Sequence, residues 1–219
     1  MDDIELLARS DLFSAFDEAT LRTLVRSSRP LECERNFVIF QEDDEAGELF
    51  VVRSGRVAIG RRSVDGRESL VALMEAGDLF GEMPLFDQGT RSASARALER
   101  SELLGIPYGV VREALSDRPQ LLWEVVRLLA ERLRSTDSAL ADAVFLDVTG
   151  RTAKRLLELA GDKDDFQLPI TQEELAGLVG ASRERVNKSI AAFIRLGWIE
   201  QLDRRYRIVE RERLAQRAR

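Results

Sequence analysis

The chain has no histidine and only one cysteine, Cys33. Without histidine there is no histidine-based acid–base catalysis, no histidine-ligated haem and almost no scope for a zinc site. One cysteine forms neither a disulfide framework nor a thiolate cluster for zinc or iron–sulfur. We therefore expect no metal, haem or iron–sulfur cofactor.

Long hydrophobic runs are also missing. No apolar stretch approaches the roughly 18 residues that a membrane span requires, and the acidic N-terminus is unlike a secretory signal peptide. The composition, 44% hydrophobic and 33% charged, is typical of a globular chain. We expect a soluble, cytoplasmic protein with one large domain or two modest ones.

The net charge of −6 is unevenly distributed along the chain. Residues 150–219 contain 15 Lys and Arg against 11 Asp and Glu, a balance of +4, which leaves −10 for the first 149 residues. This asymmetry indicates a basic C-terminal module with a polyanionic partner, and chance variation between domains is the alternative.

The first half is predicted to combine short helices with a small antiparallel roll, in an α+β fold. Residues 2–28 have apolar side chains at helical spacing. From Arg35 to Leu104, apolar runs alternate with breaks that contain Gly and Asp: NFVIF, ELFVVRSGRVAIGRR, ESLVALM and SELLGI. Asp65-Gly66 within VDGR is a hairpin signal. Several short strands at this spacing predict a roll or barrel.

A long helix is predicted to start at Pro119, because neither Pro nor Gly follows until Gly150. One seam along it advances in steps of 4 and 3: Leu122, Val126, Leu129, Leu133, Thr136, Leu140 and Ala143. Such a seam is typical of a helix that pairs with its own copy. The alternative is a helix packed on its own domain, for which Leu121, Val125 and Leu128 would serve near its start.

The C-terminal third is predicted to form a helix-turn-helix with a wing. After a break in FLDVTGR, a helix capped by Asp147 or Thr149 runs to Leu159, and FQLPI resembles a short strand. In the segment that begins TQEELAGLVGASRER, Thr171 and Glu174 match a capping box. The following turn and the next helix are marked by Gly180 and Ser182. WIEQLDRRYRIV predicts the two-stranded wing.

A helix, a tight turn and a second helix place the second helix in the DNA major groove. Arginine can donate to both acceptors of guanine, and glutamate can accept from the cytosine amino group, while hydroxyl and guanidinium groups can hold phosphates. The candidate DNA-binding residues are Thr171, Ser182, Arg183, Glu184, Arg185, Lys188, Arg204 and Arg205. The alternative for such residues is a solvated charged face.

FGEMPLFDQGTRSAS, residues 80–94, places Gly81-Glu82 and Arg91-Ser92 on either side of a short loop. Arg91 suits a phosphate, and Ser92 adds a hydroxyl and an N–H group. Glu82 suits a sugar hydroxyl, and Gly81 lets the backbone approach a ligand closely. The segment predicts a sugar-phosphate site, and an internal Glu82–Arg91 ion pair around a surface turn is the alternative.

Three segments resemble the CRP/FNR superfamily of bacterial transcription regulators, in particular the actinobacterial members of its cyclic-AMP receptor protein branch. ITQEELAGLVGASRERVNKSI resembles the family's helix-turn-helix, FLDVTGR its hinge, and FGE…RSA its cyclic-nucleotide phosphate cassette. The resemblance covers essentially the whole chain. It implies a cyclic-nucleotide-binding β-roll at 1–117, a dimerisation helix and hinge at 118–147, and a winged helix-turn-helix at 148–219.

The resemblance also implies the ligand contacts. Thr136 and Asp137 would touch the base, one from each protomer, with Arg132 near the phosphate and Val71 also in the ligand-binding set. Asp137 only accepts hydrogen bonds, which suits the adenine amino group and favours cyclic AMP over cyclic GMP. Thr136 could instead bond its own helix backbone, and Asp137 could face solvent or pair with Arg134.

On the DNA side, the family's three base-reading positions correspond to Arg183, Glu184 and Lys188, which implies a TGTGA-type half-site. Lys188 stands where the enterobacterial type has Arg, and Arg185 replaces a small polar residue and could add a phosphate contact. The implied protein is a homodimer that cyclic AMP controls allosterically through the hinge, with RNA polymerase as a further partner.

Other functions remain as alternatives. The regulator could be independent of an effector, or it could respond to another nucleotide or signal. A haem or iron–sulfur sensor conflicts with one Cys and no His. A phosphodiesterase would need metal ligands or a base near the phosphate, so we expect no catalytic residues and no enzyme.

Overall fold

The computed structural model describes residues 2–62, 68–203 and 205–219. It divides into two compact units, residues 2–62 and 71–133 in the first and residues 68–70 and 134–219 in the second. This division falls inside one long helix. The domain limits at 117 and 147 stay a prediction.

The first unit begins with the two expected short helices, α1 (Asp3–Arg9) and α2 (Glu18–Ser27). Each starts at an aspartate whose side chain accepts a hydrogen bond from a backbone N–H in the first turn: Asp2 for α1 and Asp17 for α2. Their apolar faces are buried in a core that is shared with the strands.

Within the described residues, the roll is formed by eight strands: β1 (Arg29–Cys33), β2 (Val38–Phe40), β3 (Glu48–Ser54), β4 (Val57–Arg62), β5 (Glu68–Met74), β6 (Leu79–Phe80), β7 (Ser94–Ala97) and β8 (Ser101–Pro107). They make two four-stranded sheets, in the orders β1-β8-β3-β6 and β2-β7-β4-β5. Side chains of both sheets meet in one cluster that includes Phe50, Val57, Phe80 and Leu103. The predicted antiparallel roll is confirmed. The VDGR turn lies outside the described residues.

Helices α3 (Met83–Asp87) and α4 (Tyr108–Asp117) precede a 3-10 turn, Pro119–Leu121, and the long helix α5 (Leu122–Phe145). Pro119 therefore lies in the 3-10 turn and not in α5 itself. Leu121, Val125 and Leu128 are buried in the first unit, as the alternative reading of the helix allowed. The seam residues are nevertheless exposed on this single chain: Leu122, Val126, Leu129, Leu133, Thr136, Leu140 and Ala143.

The second unit contains α6 (Val148–Ala160), β9 (Asp165–Gln167), α7 (Gln172–Val179), α8 (Arg183–Arg195), β10 (Ile199–Leu202), β11 (Arg205–Ile208) and α9 (Arg211–Arg217). The strands form an antiparallel sheet in the order β10-β11-β9, which confirms the two-stranded wing and adds a third strand. The strand expected in FQLPI ends at Gln167, ahead of Pro169, whose nitrogen has no hydrogen to donate to a ladder. The cap of α6 is Asp147 and not Thr149.

Over the described ranges, no helix combines the length and apolarity needed to cross a bilayer. In the same ranges, no group of three or more His, Cys, Asp or Glu side chains is placed to hold a metal ion.

Candidate functional site

The first candidate site is the cassette between β6 and β7, and its backbone depends on Gly81. Gly81 has φ +76°, in the left-handed region. A Cβ atom at this position would lie 2.6 Å from Nη1 of Arg91. Both the conformation and the space at this position therefore require glycine.

Arg91 is 4% exposed and is held by groups from three elements. Its Nη1 donates to the Gly81 carbonyl at 2.8 Å and to the Tyr108 hydroxyl at 3.1 Å, and its Nη2 donates to the Glu48 carbonyl at 2.8 Å. The guanidinium carbon lies 4.0 Å from the ring centre of Phe40, a cation–π distance. Burial lowers the pKa of Arg91 and raises that of Tyr108 to about 12.

Glu82 is fully buried, and within the described residues neither of its carboxylate oxygens accepts a hydrogen bond. Nη1 of Arg132 lies 2.7 Å from Oε1, so charge compensation is present although the geometry is not that of a hydrogen bond. Burial raises the pKa of Glu82, and the nearby Arg132 opposes that rise. Arg132 also donates to the Leu79 carbonyl at 2.7 Å.

The internal Glu82–Arg91 ion pair considered from the sequence is not the arrangement found. Glu82 is paired with Arg132, while the two Nη atoms of Arg91 donate to carbonyl and hydroxyl oxygens. Among the described residues, Nε of Arg91 and both oxygens of Glu82 are buried without a hydrogen-bond partner. One donor on the Arg91 guanidinium and two acceptors on the Glu82 carboxylate therefore lie in this cassette without a hydrogen-bond partner in the part of the chain that the structure describes.

The other candidate ligand contacts are less enclosed. Ser92 is exposed, with its Oγ 3.3 Å from Sδ of Met83, and Val71 on β5 is 62% exposed. Thr136 and Asp137 are exposed on α5 in the second unit. The structure thus brings together Gly81, Glu82, Arg91 and Arg132, and the ligand-binding roles of all eight candidates stay predictions.

The sequence reasoning missed three groups around Arg91, namely Phe40, Glu48 and Tyr108. The bonds from Arg91 to Tyr108 and Glu48 span 17 and 43 residues of sequence. No local motif could have indicated them, because they come from different strands and from the start of α4.

The second candidate site is a nucleic-acid interface on α7 and α8. The predicted capping box of α7 is present, with Thr171 Oγ1 accepting from Glu174 N at 3.2 Å and Glu174 Oε2 accepting from Thr171 N at 2.7 Å. Gly180 ends this helix with φ +67°, and Ser182 caps α8. These local features fix the turn that sets the direction of α8.

The first two turns of α8 divide cleanly between core and solvent. Its buried side is formed by Val186, Ser189, Ile190 and Phe193. The predicted contacts on the other side are all exposed: Arg183, Glu184, Arg185 and Lys188. A charged face at the start of the second helix is what entry into a major groove requires.

Glu184 and Lys188 form an i,i+4 ion pair at 2.7 Å on this face. The hydrogen bond from Lys188 lowers the pKa of Glu184. Both side chains are about three quarters exposed, so the pair contributes little to stability.

In the wing, Arg205 pairs with Asp165 of β9 at 2.7 Å. The neighbouring candidate, Arg204, lies outside the described residues. The Arg205 side chain is 66% exposed.

A cleft of about 260 Å³ separates the start of α6 from α8. Its lining includes Asp147, Thr149, Arg185, Lys188 and Ser189. Two of the lining hydroxyls, those of Thr149 and Ser189, are 3.2 Å apart. The charged side of α8 and the start of α6 therefore line one cleft.

Comparison with known proteins places both sites in one family. Residues 30–118 match the cyclic nucleotide-binding domain family, and residues 150–217 match the Crp-like helix-turn-helix domain family. The chain is 40% identical to the CRP-like cAMP-activated global transcriptional regulator of Mycobacterium tuberculosis, over 98% of this chain and 99% of the relative. It is 34% identical to the cAMP-activated global transcriptional regulator Vfr of Pseudomonas aeruginosa, over 74% and 80% of the two chains.

Solved structures show the same architecture. The c-di-GMP responsive global regulator CLP of Xanthomonas campestris superposes with a TM-score of 0.76 at 27% identity, over 88% of this chain and 99% of that one. Two matched domains and a full-length relative at 40% identity are decisive. The chain belongs to the CRP/FNR superfamily as a DNA-binding transcription regulator with a cyclic nucleotide-binding domain, and it is not an enzyme.

Proposed function

We propose that the protein is a homodimeric regulator that cyclic AMP controls allosterically and that binds TGTGA-like palindromes. The observation that carries this proposal is the cassette, where buried Glu82 oxygens and the buried Nε of Arg91 have no hydrogen-bond partner among the described residues. Buried polar groups in native proteins are nearly always hydrogen-bonded. A ribose hydroxyl can donate to the carboxylate, and a phosphate can accept from the guanidinium.

Cyclic AMP is favoured among nucleotides by two observations. The relatives from M. tuberculosis and P. aeruginosa are named as cAMP-activated regulators. Asp137, as an acceptor, suits an amino group on the base and opposes the guanine oxo group. In this proposal Thr136 and Asp137 contact the base. Arg132 lies near the phosphate and compensates the negative charge of Glu82.

The dimer is supported by the exposed seam of α5. Leu133 and Leu140 are 62% and 64% exposed on the isolated chain, an unusual state for leucines at heptad positions. A second copy of α5 would cover both. The two recognition helices would then enter successive major grooves about 34 Å apart on one face of DNA.

The coupling between ligand and DNA would pass through the end of α5 and the start of α6, where the helix breaks at Leu146 and Asp147. A ligand shifts such an equilibrium only by its differential affinity for the two arrangements, commonly about 1–3 kcal/mol. The form that binds DNA is therefore already populated to some extent without ligand. RNA polymerase would be the partner on DNA.

The test is isothermal titration of wild type and Arg91→Ala with cyclic AMP and cyclic GMP. Wild type is expected to bind cyclic AMP more tightly than cyclic GMP, and Arg91→Ala is expected to bind neither. Equal binding of cyclic AMP by the variant would remove the cassette from the proposal.

A second candidate is control by another nucleotide, which the structural similarity to the c-di-GMP responsive CLP favours. Titration with cyclic di-GMP under the same conditions separates the two. If only cyclic di-GMP produced heat of binding, it and not cyclic AMP would be the effector.

A further inference from the structure

Asp147 has two roles at the start of α6. Its Oδ1 accepts a hydrogen bond from Gly150 N at 2.8 Å and so caps the helix. Its side chain is 63% exposed and lines the same cleft as Arg185 and Lys188. A carboxylate therefore lies at the edge of a surface where Arg185 and Lys188 are expected to contact DNA.

The C-terminal helix α9 brings a cation to this carboxylate. Nη2 of Arg217 contacts both oxygens of Asp147. The hydrogen bond from Gly150 N and the pairing with Arg217 together lower the pKa of Asp147. Arg217 thus cancels the charge of a group that the start of α6 needs as its cap.

The position of α9 is fixed at its other end. Arg211 donates to Asp164 Oδ1 at 2.8 Å, to the Gly161 carbonyl at 3.0 Å and to the Lys163 carbonyl at 2.8 Å. Between the two arginines, Leu214 is completely buried. Helix α9 is therefore anchored near both ends of α6, which fixes the position of Arg217.

Gly150 makes the approach of Arg217 possible. A Cβ atom at this position would lie 3.0 Å from both Nη1 and the carbonyl oxygen of Arg217. Glycine is one of the poorest helix formers, and it nevertheless occupies the first turn of α6. The space taken by Arg217 accounts for this choice.

We propose that Arg217 is a positioning residue for DNA binding, which neutralises Asp147 at the edge of the DNA-binding face. The proposal rests on the proposed entry of α8 into the major groove. Charges near DNA act over a Debye length of about 8–10 Å at moderate salt. Without Arg217, the carboxylate would repel the nearest phosphates and weaken binding to every DNA sequence alike.

The experiment compares four full-length proteins: wild type, Arg217→Ala, Asp147→Asn, and the double variant. Asparagine caps helices as well as aspartate does, so Asp147→Asn removes the charge and keeps the cap. Fluorescence anisotropy measures binding to a TGTGA-N6-TCACA duplex and to a scrambled duplex, between about 50 and 200 mM salt.

We expect Arg217→Ala to bind about 3- to 10-fold more weakly, with a salt dependence lower by about one charge. Asp147→Asn is expected to bind more tightly by a similar factor. The double variant should return to within about twofold of wild type, because the charge balance is restored. A double variant as weak as Arg217→Ala would overturn the proposal, since Arg217 would then act by direct contact or by packing.

Two controls complete the set. Arg217→Lys keeps the charge and should bind like wild type. Arg213→Ala removes an exposed arginine from the same helix and should cost less than Arg217→Ala. Equal losses from the two alanine variants would show an effect of total charge and contradict the proposal. Should Arg217→Ala fail to fold, unchanged or weaker binding by Asp147→Asn would overturn it.

The two duplexes separate this inference from the proposed function. If the four proteins keep the expected order of affinity on both duplexes but do not prefer the palindrome, the proposed recognition of TGTGA-like sites is wrong and the role of Arg217 stands. If the palindrome is preferred but the four proteins bind alike, the role of Arg217 fails alone.

Discussion

Nη1 of Arg91 donates to the carbonyl of Gly81 at 2.8 Å and occupies the space where a side chain at position 81 would begin. The residue expected to hold a phosphate and the glycine expected to admit a ligand are thus in direct contact. This contact makes the geometry of the cassette dependent on a single missing methyl group.

Gly81→Ala should therefore lose cyclic-nucleotide affinity by at least about tenfold, a change of about 1.4 kcal/mol. Its free energy of unfolding should also fall by about 1–2 kcal/mol, because alanine is strained in the left-handed backbone conformation. Calorimetric titration and denaturant unfolding measure the two effects.

Gly77→Ala is the matched control. Gly77 has φ +99°, but nothing lies within 4 Å of a Cβ atom there. Gly77→Ala should lose a similar amount of stability, because its backbone is also strained, and should keep its ligand affinity. Equal loss of affinity in both variants would show that backbone strain, and not the contact with Arg91, is responsible.

Burial of Glu82 makes the stability of the first unit depend on pH. Because burial raises its pKa in the folded state above the ordinary value of 4.5, the native protein retains a proton there to higher pH than the unfolded chain does. The stabilisation from this proton is complete at low pH and is lost as pH rises from 4.5 through the raised pKa.

Glu82→Gln should flatten that fall in stability, because the amide does not titrate. Urea unfolding from pH 4.5 upward, with wild type in parallel, measures the difference. A stability difference between wild type and Glu82→Gln that rises with pH over the same interval would contradict this, because Glu82 would then be ionised more easily in the folded protein than in the unfolded chain.

The seam of α5 predicts the oligomeric state. Introducing glutamate at both Leu133 and Leu140 should convert the dimer to a monomer, since two buried charges would face their own copies. Sedimentation velocity measures the change. Ala141→Glu, an exposed position outside the seam, should leave the dimer intact. A monomeric wild type would contradict the proposed assembly.

Base and phosphate contacts predict different DNA-binding phenotypes. Arg183→Ala should lose about 1–3 kcal/mol on the TGTGA palindrome and discriminate less at one base pair. Arg205→Ala, in the wing, should weaken binding to all sequences and lower the salt dependence by about one charge. Binding measured on single-base variants of the duplex distinguishes them. If both variants lost the same affinity on every single-base duplex, Arg183 would contact the DNA phosphate backbone and not a base.

The features predicted correctly from the sequence are mainly local. Thr171, Glu174, Gly180 and Ser182 act within three or four residues of their own position, so the capping box, the turn and the start of α8 follow from short patterns. The long helix α5 likewise follows from the absence of Pro and Gly along one segment, while the pairing of its seam with a second copy stays a prediction.

The features that were missed depend on distant residues or on weak local patterns. The pairing of Glu82 with Arg132 joins the cassette to α5, and no spacing rule indicates it. Helix α9 has a single fully buried apolar residue, Leu214, within a run of charged side chains. Its contact with Asp147 becomes visible only when the whole second unit is folded.

We expect ligand in the cassette to control DNA binding. Fluorescence anisotropy of the labelled TGTGA-N6-TCACA duplex at fixed salt, with and without cyclic AMP, tests it directly on wild type and Arg91→Ala. We predict that cyclic AMP tightens binding of wild type about 5- to 150-fold, has no effect on Arg91→Ala, and leaves a scrambled duplex weakly bound. Specific binding by wild type that is unchanged by cyclic AMP would contradict control of DNA binding by ligand in the cassette.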